Sequence, residues 1–464
     1  MFLTAGQANR RQPEVGSSRG SKTSATVPSA QAASIAIDEE IRNDAAIRKA
    51  DGRRQVKVVI LGQAESGKST LRKQLQLYHE SHTLDGERPA WRIVVYANLV
   101  KAVRTILDEL EYECARHEEP PLSAAAPPRS RSTGPSEFEA LVDAGSENEI
   151  LALRRSLLPL VSLEVELSDA LSDEIVFVPR RSVLGFDVGR GLGFRSAARL
   201  GTRPIHLATA ALVRVATARA AEILGSSAQV VDALWRHRAV QALVAARKVR
   251  LEESGEFFLN EVHRVGHLEY VPSIDDILHA RLPTIGVVER SMEVTTTGGA
   301  YVWNIYDVGG VRSQRPAWAS FFDDANALIF LAPISAFDQY LEEDPLTNRI
   351  SDSVQLLTSI AANALLKNAQ LILLLNKTDI LRRKLEAGVK IRDYITSYGE
   401  RKNDFSTAAE YFRSHFLAAH KKNSGKRPLF IHFTCMVDIR ATQSVFASVE
   451  DIVLRRHVSQ AKLV

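Results

Sequence analysis

The stretch GQAESGKS at Gly62–Ser69 decides the fold of this chain. It follows the apolar run VKVVILG at Val56–Gly62, which is typical of a parallel strand covered on both faces, and it precedes a stretch with helical character. Small residues in such a loop let backbone N–H groups wrap phosphates, while Lys68 reaches the outer two phosphates and the Ser69 hydroxyl ligates Mg²⁺. The stretch therefore predicts a strand, a phosphate-binding loop and a helix.

Four further segments extend this prediction to a whole nucleotide. The segment NKTD, at Asn376–Asp379, follows the apolar run Leu371–Leu375, so the Asp379 carboxylate can accept hydrogen bonds from guanine N1–H and the 2-amino group. Adenine offers no such pair, which favours GTP over ATP, although NKTD alone could be a turn at a strand end. In chain order the segments are RLPTIG at Arg281–Gly286, DVGG at Asp307–Gly310, NKTD at Asn376–Asp379 and TCMVD at Thr434–Asp438.

The DVGG segment adds a candidate metal ligand. Asp307 follows a predicted strand at 300–306, where its carboxylate could hold Mg²⁺ through water while the Gly310 N–H meets the γ-phosphate; the alternative is an Asp in a type I turn. Thr284 would complete the Mg²⁺ shell with Ser69, since this ion prefers oxygen ligands.

The spacing of these segments points to one family. About two hundred residues separate the first two segments, and Arg281 lies three residues before Thr284. With ERPAWRIVVYAN at 87–98 and DPLTNRISDSVQLL at 344–357, the chain from about residue 33 to its C-terminus resembles a divergent alpha subunit of heterotrimeric G proteins. The resemblance implies a Ras-like P-loop GTPase domain, with a doubly wound and mostly parallel sheet, into which an all-helical domain is inserted.

The resemblance also implies a set of site residues for GTP or GDP and Mg²⁺. Catalysis would use Lys68, Arg281 supplied in cis, and the residue at position 311. The metal ligands would be Ser69, Thr284 and, through water, Asp307. The nucleotide-binding residues would be Gly62, Gln63, Ala64, Glu65, Ser66, Gly67, Lys68, Ser69, Thr70, Leu278, Arg281, Thr284, Asp307, Gly310, Asn376, Lys377, Asp379, Cys435 and Met436.

Three positions depart from the family pattern. Val311 stands where a glutamine orients the attacking water, and Ala64 stands where a glycine leaves room for the γ-phosphate. Met436 is bulkier than the usual alanine, whose backbone N–H meets guanine O6. Two functions follow as hypotheses: a slow GTP hydrolase that couples a membrane receptor to effectors, or a hydrolysis-deficient nucleotide-binding scaffold that acts through partner contacts.

Composition limits the remaining possibilities. A net charge of +4 on 464 residues gives no argument for nucleic acid, and two cysteines fit a reducing cytosol. No apolar run approaches the roughly 20 residues that span a bilayer. The predicted organisation is a disordered tail at 1–32, an amphipathic helix at 33–53, a GTPase domain at 54–80 and 280–464, and a helical domain at 81–279 with loops near 117–148 and 179–206.

The resemblance implies partners as well. The helix at 33–53 would bind the beta-gamma dimer, although it could instead pack on its own domain; the switch segments Arg281–Gly286 and Val308–Trp318 would bind effectors, and the C-terminal tail a seven-helix receptor. The chain begins Met1–Phe2 and has no cysteine before Cys114, so no N-terminal lipidation site is predicted. We therefore expect a cytoplasmic protein held on the inner face of the plasma membrane by partners.

Overall fold

The structure is a computed structural model that describes residues 54–118, 144–172, 203–284, 286–296, 299–424 and 427–461. The predicted tail and amphipathic helix lie outside these residues. Most of the two predicted loops does too, but the residues described at their ends, 117–118, 144–148 and 203–206, are helical.

A six-stranded sheet forms the α/β part, in the order β2-β3-β1-β4-β5-β6. β2 is antiparallel to β3, and every other neighbouring pair is parallel, so the predicted fold class is confirmed. The strands are β1 (Arg54–Gly62), β2 (Val287–Thr296), β3 (Gly299–Val308), β4 (Ala327–Pro333), β5 (Gln370–Asn376) and β6 (Leu429–Phe433).

Fourteen α-helices lie within the described residues. They are α1 (Lys68–His79), α2 (Ser81–Glu87), α3 (Arg92–Glu118), α4 (Ala144–Val161), α5 (Leu163–Ser172), α6 (Arg203–Arg236), α7 (Arg238–Ala245), α8 (Glu253–Asn260), α9 (Val262–Val265), α10 (Ile274–His279), α11 (Arg349–Ala362), α12 (Thr378–Glu386), α13 (Phe405–Ser424) and α14 (Ile439–Ala461). None of these helices is both long enough and apolar enough to cross a membrane.

The sheet is buried on both faces. Every residue of β4 (ALIFLAP) and of β5 (QLILLLN) is buried, as expected for central parallel strands. Val59 and Leu61 of β1 pack into one apolar cluster with α11 and α13, whereas Val58 and Ile60 pack into a second cluster with α1 and α14.

The helices α2–α10 enclose a core of their own. Along α3 the buried side chains include Val94, Tyr96, Val100 and Val103, and they pack with residues of α4 to α10. These residues form the broad apolar stripe expected of a helix that packs in a helical domain.

Two helix boundaries differ from the sequence-based prediction. Apolar periodicity predicts the last helix over about residues 444–457, but α14 begins at Ile439 because the Asp438 carboxylate accepts the Ala441 N–H at 3.0 Å. The same periodicity predicts a helix over 348–366, but the helix ends at Ala362, where Asn363 caps a short 3₁₀ turn. Both helix ends are set by polar capping residues, which apolar periodicity does not detect.

The sheet gathers the predicted motifs at one edge. Ile60 pairs with Asp307, Gly62 pairs with Leu331, and Asn376 ends β5 beside Pro333. The carboxyl ends of β1, β3 and β5 thus lie along the same edge, which is where open α/β sheets bind ligands.

Candidate functional site

The loop after β1 requires glycine at both ends. Gly62 has φ +146° and Gly67 has φ +99°, and a Cβ at Gly62 would lie 2.5 Å from the Leu331 carbonyl oxygen. Glu65, between them, also has positive φ, at 60°. Only glycine adopts the two terminal conformations without strain, so the loop shape follows from the sequence motif.

Lys68 is folded back onto this loop. Its Nζ donates to the carbonyl oxygens of Gly62 at 3.0 Å and of Gln63 at 2.6 Å. Burial lowers the pKa of Lys68 to about 8, although the Asp307 carboxylate opposes the shift. The ammonium group therefore lies beside the loop, where a bound phosphate would raise its pKa again.

Two of the three predicted metal ligands are in direct contact, and the third is buried at the end of β3. Ser69 Oγ and Thr284 Oγ1, 215 positions apart in the chain, are 2.8 Å from each other. Asp307 is fully buried and neither of its carboxylate oxygens has a hydrogen-bond partner among the described residues; Arg72 lies 3.5 Å away as an ion-pair partner. Two hydroxyls and a buried carboxylate with free acceptor positions fit Mg²⁺, which prefers oxygen ligands and keeps bound waters.

Asn376 connects three motifs at the other end of the site. Its Nδ2 donates to the Ser66 carbonyl at 2.9 Å, and its Oδ1 accepts from Thr434 Oγ1 and from the Met436 N–H, both at 3.2 Å. The phosphate loop, the end of β5 and the loop after β6 are thereby fixed relative to one another.

The predicted base-contacting residues surround a cavity of about 270 Å³. Lys377, in a left-handed conformation, and Asp379, in the first turn of α12, lie on its wall. Burial, together with the neighbouring Asp379 carboxylate, raises the pKa of the Cys435 thiol to about 12. Phe257 and His279, stacked at 3.8 Å, line the cavity from the helical side.

Met436 differs from expectation in two respects. Its N–H, expected to be available to guanine O6, donates to Asn376 within the protein. Its bulky side chain is only 3 % exposed and packs in the core with Leu71 and Phe446. The methionine is therefore accommodated largely in the core, and Val437 is the next residue on the cavity wall.

A second cavity of about 220 Å³ adjoins the first on the phosphate side. Thr70, Leu278 and Arg281 line it together with Lys68 and Gly310. Predicted site residues from each of the five segments thus border two adjoining cavities between the sheet edge and the helical part. The predicted residues that line neither cavity are Gly62, Gln63, Ser66, Asp307 and Cys435.

Arg281 is held by three residues. Its backbone N–H and C=O bond to the Asn98 amide at 2.6 and 2.7 Å, while its guanidinium pairs with Glu65 Oε1 at 2.7 Å and with Glu252. Burial would raise the pKa of Glu65, but Arg281 and Arg349 hold it below its usual value. The arginine that the sequence predicted for charge stabilisation is therefore positioned at the phosphate loop.

The DVGG segment packs directly against its neighbours. The Gly309 N–H donates to the Gly286 carbonyl at 2.9 Å, and the Gly309 carbonyl accepts from the Trp318 indole at 2.9 Å. A Cβ at Gly310 would overlap the backbone at Gln63 and Ala64. Val311, the next residue, is 36 % exposed and lines the phosphate-side cavity.

A charged cluster around Asp352 of α11 was not predicted from sequence. Asp352 accepts from Gln63 Nε2, at 2.5 Å, and from the guanidinium groups of Arg312 and Arg315. Arg349 donates to the Ala64 carbonyl at 2.6 Å. Asp352 and Arg349 lie in a segment that the family resemblance included, but their role emerges only when the chain is folded.

Contacts with the helical part also went unpredicted. Lys377 Nζ pairs with Glu253 Oε1 of α8 at 2.6 Å, and Asn98 of α3 holds the Arg281 backbone. Asn98 lies in a segment that the family resemblance included and Glu253 does not, but the role of each emerges only when the chain is folded.

Comparison with known proteins agrees with this geometry. The family model described as G-protein alpha subunit matches residues 31–453. The chain is 29 % identical to the guanine nucleotide-binding protein alpha-4 subunit of Mycosarcoma maydis, over 89 % of this chain and 84 % of that protein. It is 28 % identical to the alpha-15 subunit of Caenorhabditis elegans, over 91 % and 93 %, and 25 % identical to the G-protein complex alpha subunit gpaA of Aspergillus fumigatus, over 92 % and 96 %. The chain therefore belongs to the family of G-protein alpha subunits, which are guanine-nucleotide-binding signalling proteins with GTPase activity.

Proposed function

We propose that this protein is a guanine-nucleotide switch that binds GTP or GDP with Mg²⁺ and hydrolyses GTP slowly. The observation that carries the proposal is the Asn376 junction, which joins the phosphate loop to both base-contacting segments. A site built in this way holds the two ends of one nucleotide at a fixed separation.

The base end supports guanine. Asp379 lies on the cavity wall, where a carboxylate can accept from N1–H and the 2-amino group. Lys377 is fixed by Glu253, so its aliphatic stem can cover one face of the base. We assign recognition of O6 to a backbone N–H of the Met436–Val437 pair, with Val437 preferred because the Met436 N–H is occupied.

The phosphate end supports Mg²⁺ and charge stabilisation. Ser69, Thr284 and Asp307 would hold the ion, which supplies electrostatic stabilisation of the phosphates when bound. Lys68 would exchange its bonds to loop carbonyls for phosphate oxygens. Arg281 would neutralise charge on the transferring phosphoryl group, and it must leave Glu65 or Glu252 to do so.

Slow turnover follows from position 311. The Val311 side chain has neither donor nor acceptor, and this residue lines the phosphate-side cavity where a water would attack. Ala64 adds a methyl group to the loop against which Gly310 packs. The same two residues favour the second candidate, a hydrolysis-deficient scaffold that acts through partner contacts.

The partners follow from family membership. We propose that residues 33–53 bind a beta-gamma dimer, that the segments Arg281–Gly286 and Val308–Trp318 contact effectors, and that the C-terminal tail contacts a seven-helix receptor. Residence in the cytoplasm, on the inner face of the plasma membrane, would then depend on these partners.

The first prediction concerns the base. The protein should bind GTP analogues far more tightly than ATP analogues, and Asp379→Asn should shift preference toward xanthine nucleotides, because the new amide can donate to the 2-oxo group. Competition against a fluorescent GTP analogue measures both, with Asp393→Asn as an exposed control. Equal binding of ATP and GTP would contradict the assignment.

The second prediction concerns pH. Bound phosphate should keep Lys68 charged, whereas the free protein loses this proton as the pH rises through about 8. Nucleotide binding should therefore take up at least about half a proton at pH 8.5 and less than about a quarter at pH 7.2, and affinity should fall as the pH rises.

Calorimetry in two buffers of different ionisation heat measures this uptake. Burial lowers the pKa of Lys73 to about 7, so Lys73→Gln is the matched control and should retain the uptake at pH 8.5. Binding at pH 8.5 without proton uptake would show that Lys68 is already charged in the free protein.

The third prediction concerns hydrolysis. Val311→Gln combined with Ala64→Gly should raise single-turnover hydrolysis of preloaded GTP by at least about tenfold, since one positioned polar contact is typically worth on the order of a hundredfold. Leu365→Gln, which changes an exposed side chain in the 3₁₀ turn at Ala364–Leu366, should have no effect. Alpha subunits with a cis arginine typically turn over at about 10⁻² s⁻¹, and an unmodified protein that already reaches this rate would refute slow turnover.

The fourth prediction concerns the beta-gamma dimer. Removing residues 1–53 should abolish capture by an immobilised beta-gamma dimer while nucleotide binding persists, because the predicted amphipathic helix is lost. Removing residues 1–32 alone should leave capture intact. Equal capture of both truncated proteins would place the contact elsewhere.

A further inference from the structure

The turn after DVGG brings a polar residue, Gln314, back toward the segment that contains Val311. The Gln314 N–H donates to the Val311 carbonyl at 3.0 Å, which opens the 3₁₀ helix Arg312–Phe321. A turn of this kind places its fourth residue beside the backbone of its first. Gln314 thus returns to the segment that precedes Val311.

The amide oxygen of Gln314 lies against Gly309. A Cβ at Gly309 would overlap Gln314 Oε1, and it would lie 3.0 Å from the Thr284 carbonyl oxygen. Two acceptor oxygens, one from each switch segment, therefore flank the same glycine. A side chain at position 309 would displace the glutamine.

Gln314 Oε1 is buried, and it has no hydrogen-bond partner among the described residues. Leaving a buried acceptor unsatisfied costs about 1–3 kcal/mol, so such a group in a native site calls for a ligand or an ordered water. The free acceptor lies against Gly309, on the side of the Thr284 carbonyl, directly behind Thr284 and Gly310, which line the phosphate-side cavity.

Two other glutamines near the phosphate loop are committed elsewhere. Gln63 Nε2 donates to Asp352 and to the Arg349 carbonyl, which holds its amide on the α11 side, where its own Oε1 is also without a partner among the described residues. Gln339 Oε1 accepts from Arg349 at 2.9 Å. The Gln314 amide oxygen, in contrast, lies against Gly309, on the side of the Thr284 carbonyl, and so between the two switch segments.

We propose that Gln314 is the water-positioning residue for GTP hydrolysis in this protein, in place of a glutamine at 311. This inference rests on the proposed function. A water that donates one O–H to Gln314 Oε1 and the other to the Thr284 carbonyl has its lone pairs directed away from both acceptors. Such a water keeps a lone pair free for attack on the γ-phosphorus.

The chemical step balances as ordinary hydrolysis. The water oxygen forms a bond to the γ-phosphorus while the bond from that phosphorus to the β–γ bridging oxygen breaks. The bridging oxygen keeps the electron pair as GDP leaves, and the water protons pass to the released phosphate and to solvent. Gln314 orients the water and takes no proton.

The test compares Gln314→Leu in two backgrounds, using full-length protein preloaded with γ-labelled GTP. In the natural sequence the substitution should slow single-turnover hydrolysis at least about tenfold, as loss of a positioned polar contact does. In the Val311→Gln background it should slow hydrolysis less than about threefold, because a second amide then orients the water. Affinity for a non-hydrolysable GTP analogue should change less than about twofold in each case.

Gln355→Leu, at an exposed glutamine of α11, is the matched control and should leave the rate unchanged. Hydrolysis by Gln314→Leu at the natural rate would overturn the proposal, as would an equal loss in both backgrounds, which indicates a structural role. A natural protein that retains GTP but hydrolyses it no faster than buffer alone would also overturn it. Failure to bind the non-hydrolysable analogue at all would refute the proposed function itself, and the binding measurement identifies that case separately.

Discussion

The Asn376 side chain is the constraint on which the rest of the site depends. It is 1 % exposed and satisfies three groups on two other loops: the Ser66 carbonyl, the Thr434 hydroxyl and the Met436 N–H. Inside a protein such bonds are electrostatically strong, and an unpaired buried amide is costly. The loops at the carboxyl ends of β1, β5 and β6 therefore cannot move independently. Because α1 begins directly at the phosphate loop, this junction also fixes the start of the helix that carries Lys68 and Ser69.

Ion pairs between oppositely charged side chains hold the two switch segments in place. Arg281 pairs with Glu65 and Glu252. Arg312 and Arg315 both pair with Asp352, and Arg312 also pairs with Asp344. Burial would raise the pKa of Asp352, but Arg315 and Gln63 hold it below its usual value, so the cluster stays ionised. A polyphosphate would compete with Glu65 and Glu252 for Arg281, whereas the pairs at Asp352 belong to α11.

Sequence and structure agree where a local motif carries the information. The glycines of GQAESGKS, the apolar strands before NKTD and TCMVD, and the pairing of Ser69 with Thr284 could all be predicted, because each requires particular residue types at a fixed place in a strand–loop–helix unit. The bonds from Gln63 to Asp352 and from Asn98 to Arg281 could not. They join positions 289 and 183 residues apart. In each case an ordinary polar residue on a helix acquires a role only through tertiary packing. Helix caps such as Asp438 are an intermediate case. An Asp is a typical capping residue and can be recognised in the sequence, but apolar periodicity alone predicts a later start for the helix.

Position 311 shows how turnover can change in this fold while the switch architecture persists. The Val311 side chain is exposed, and the turn that follows it is made by its carbonyl and the Gln314 N–H. The backbone bond forms with any residue at 311, and the links from Gly309 to Gly286 and to Trp318 do not involve this side chain. Replacing a polar residue here therefore alters the chemistry available to a water without disturbing the contacts that order both switch segments. The Val311 side chain takes no part in the contacts that hold the switch segments, so a substitution at 311 changes the groups offered to a water while those contacts persist.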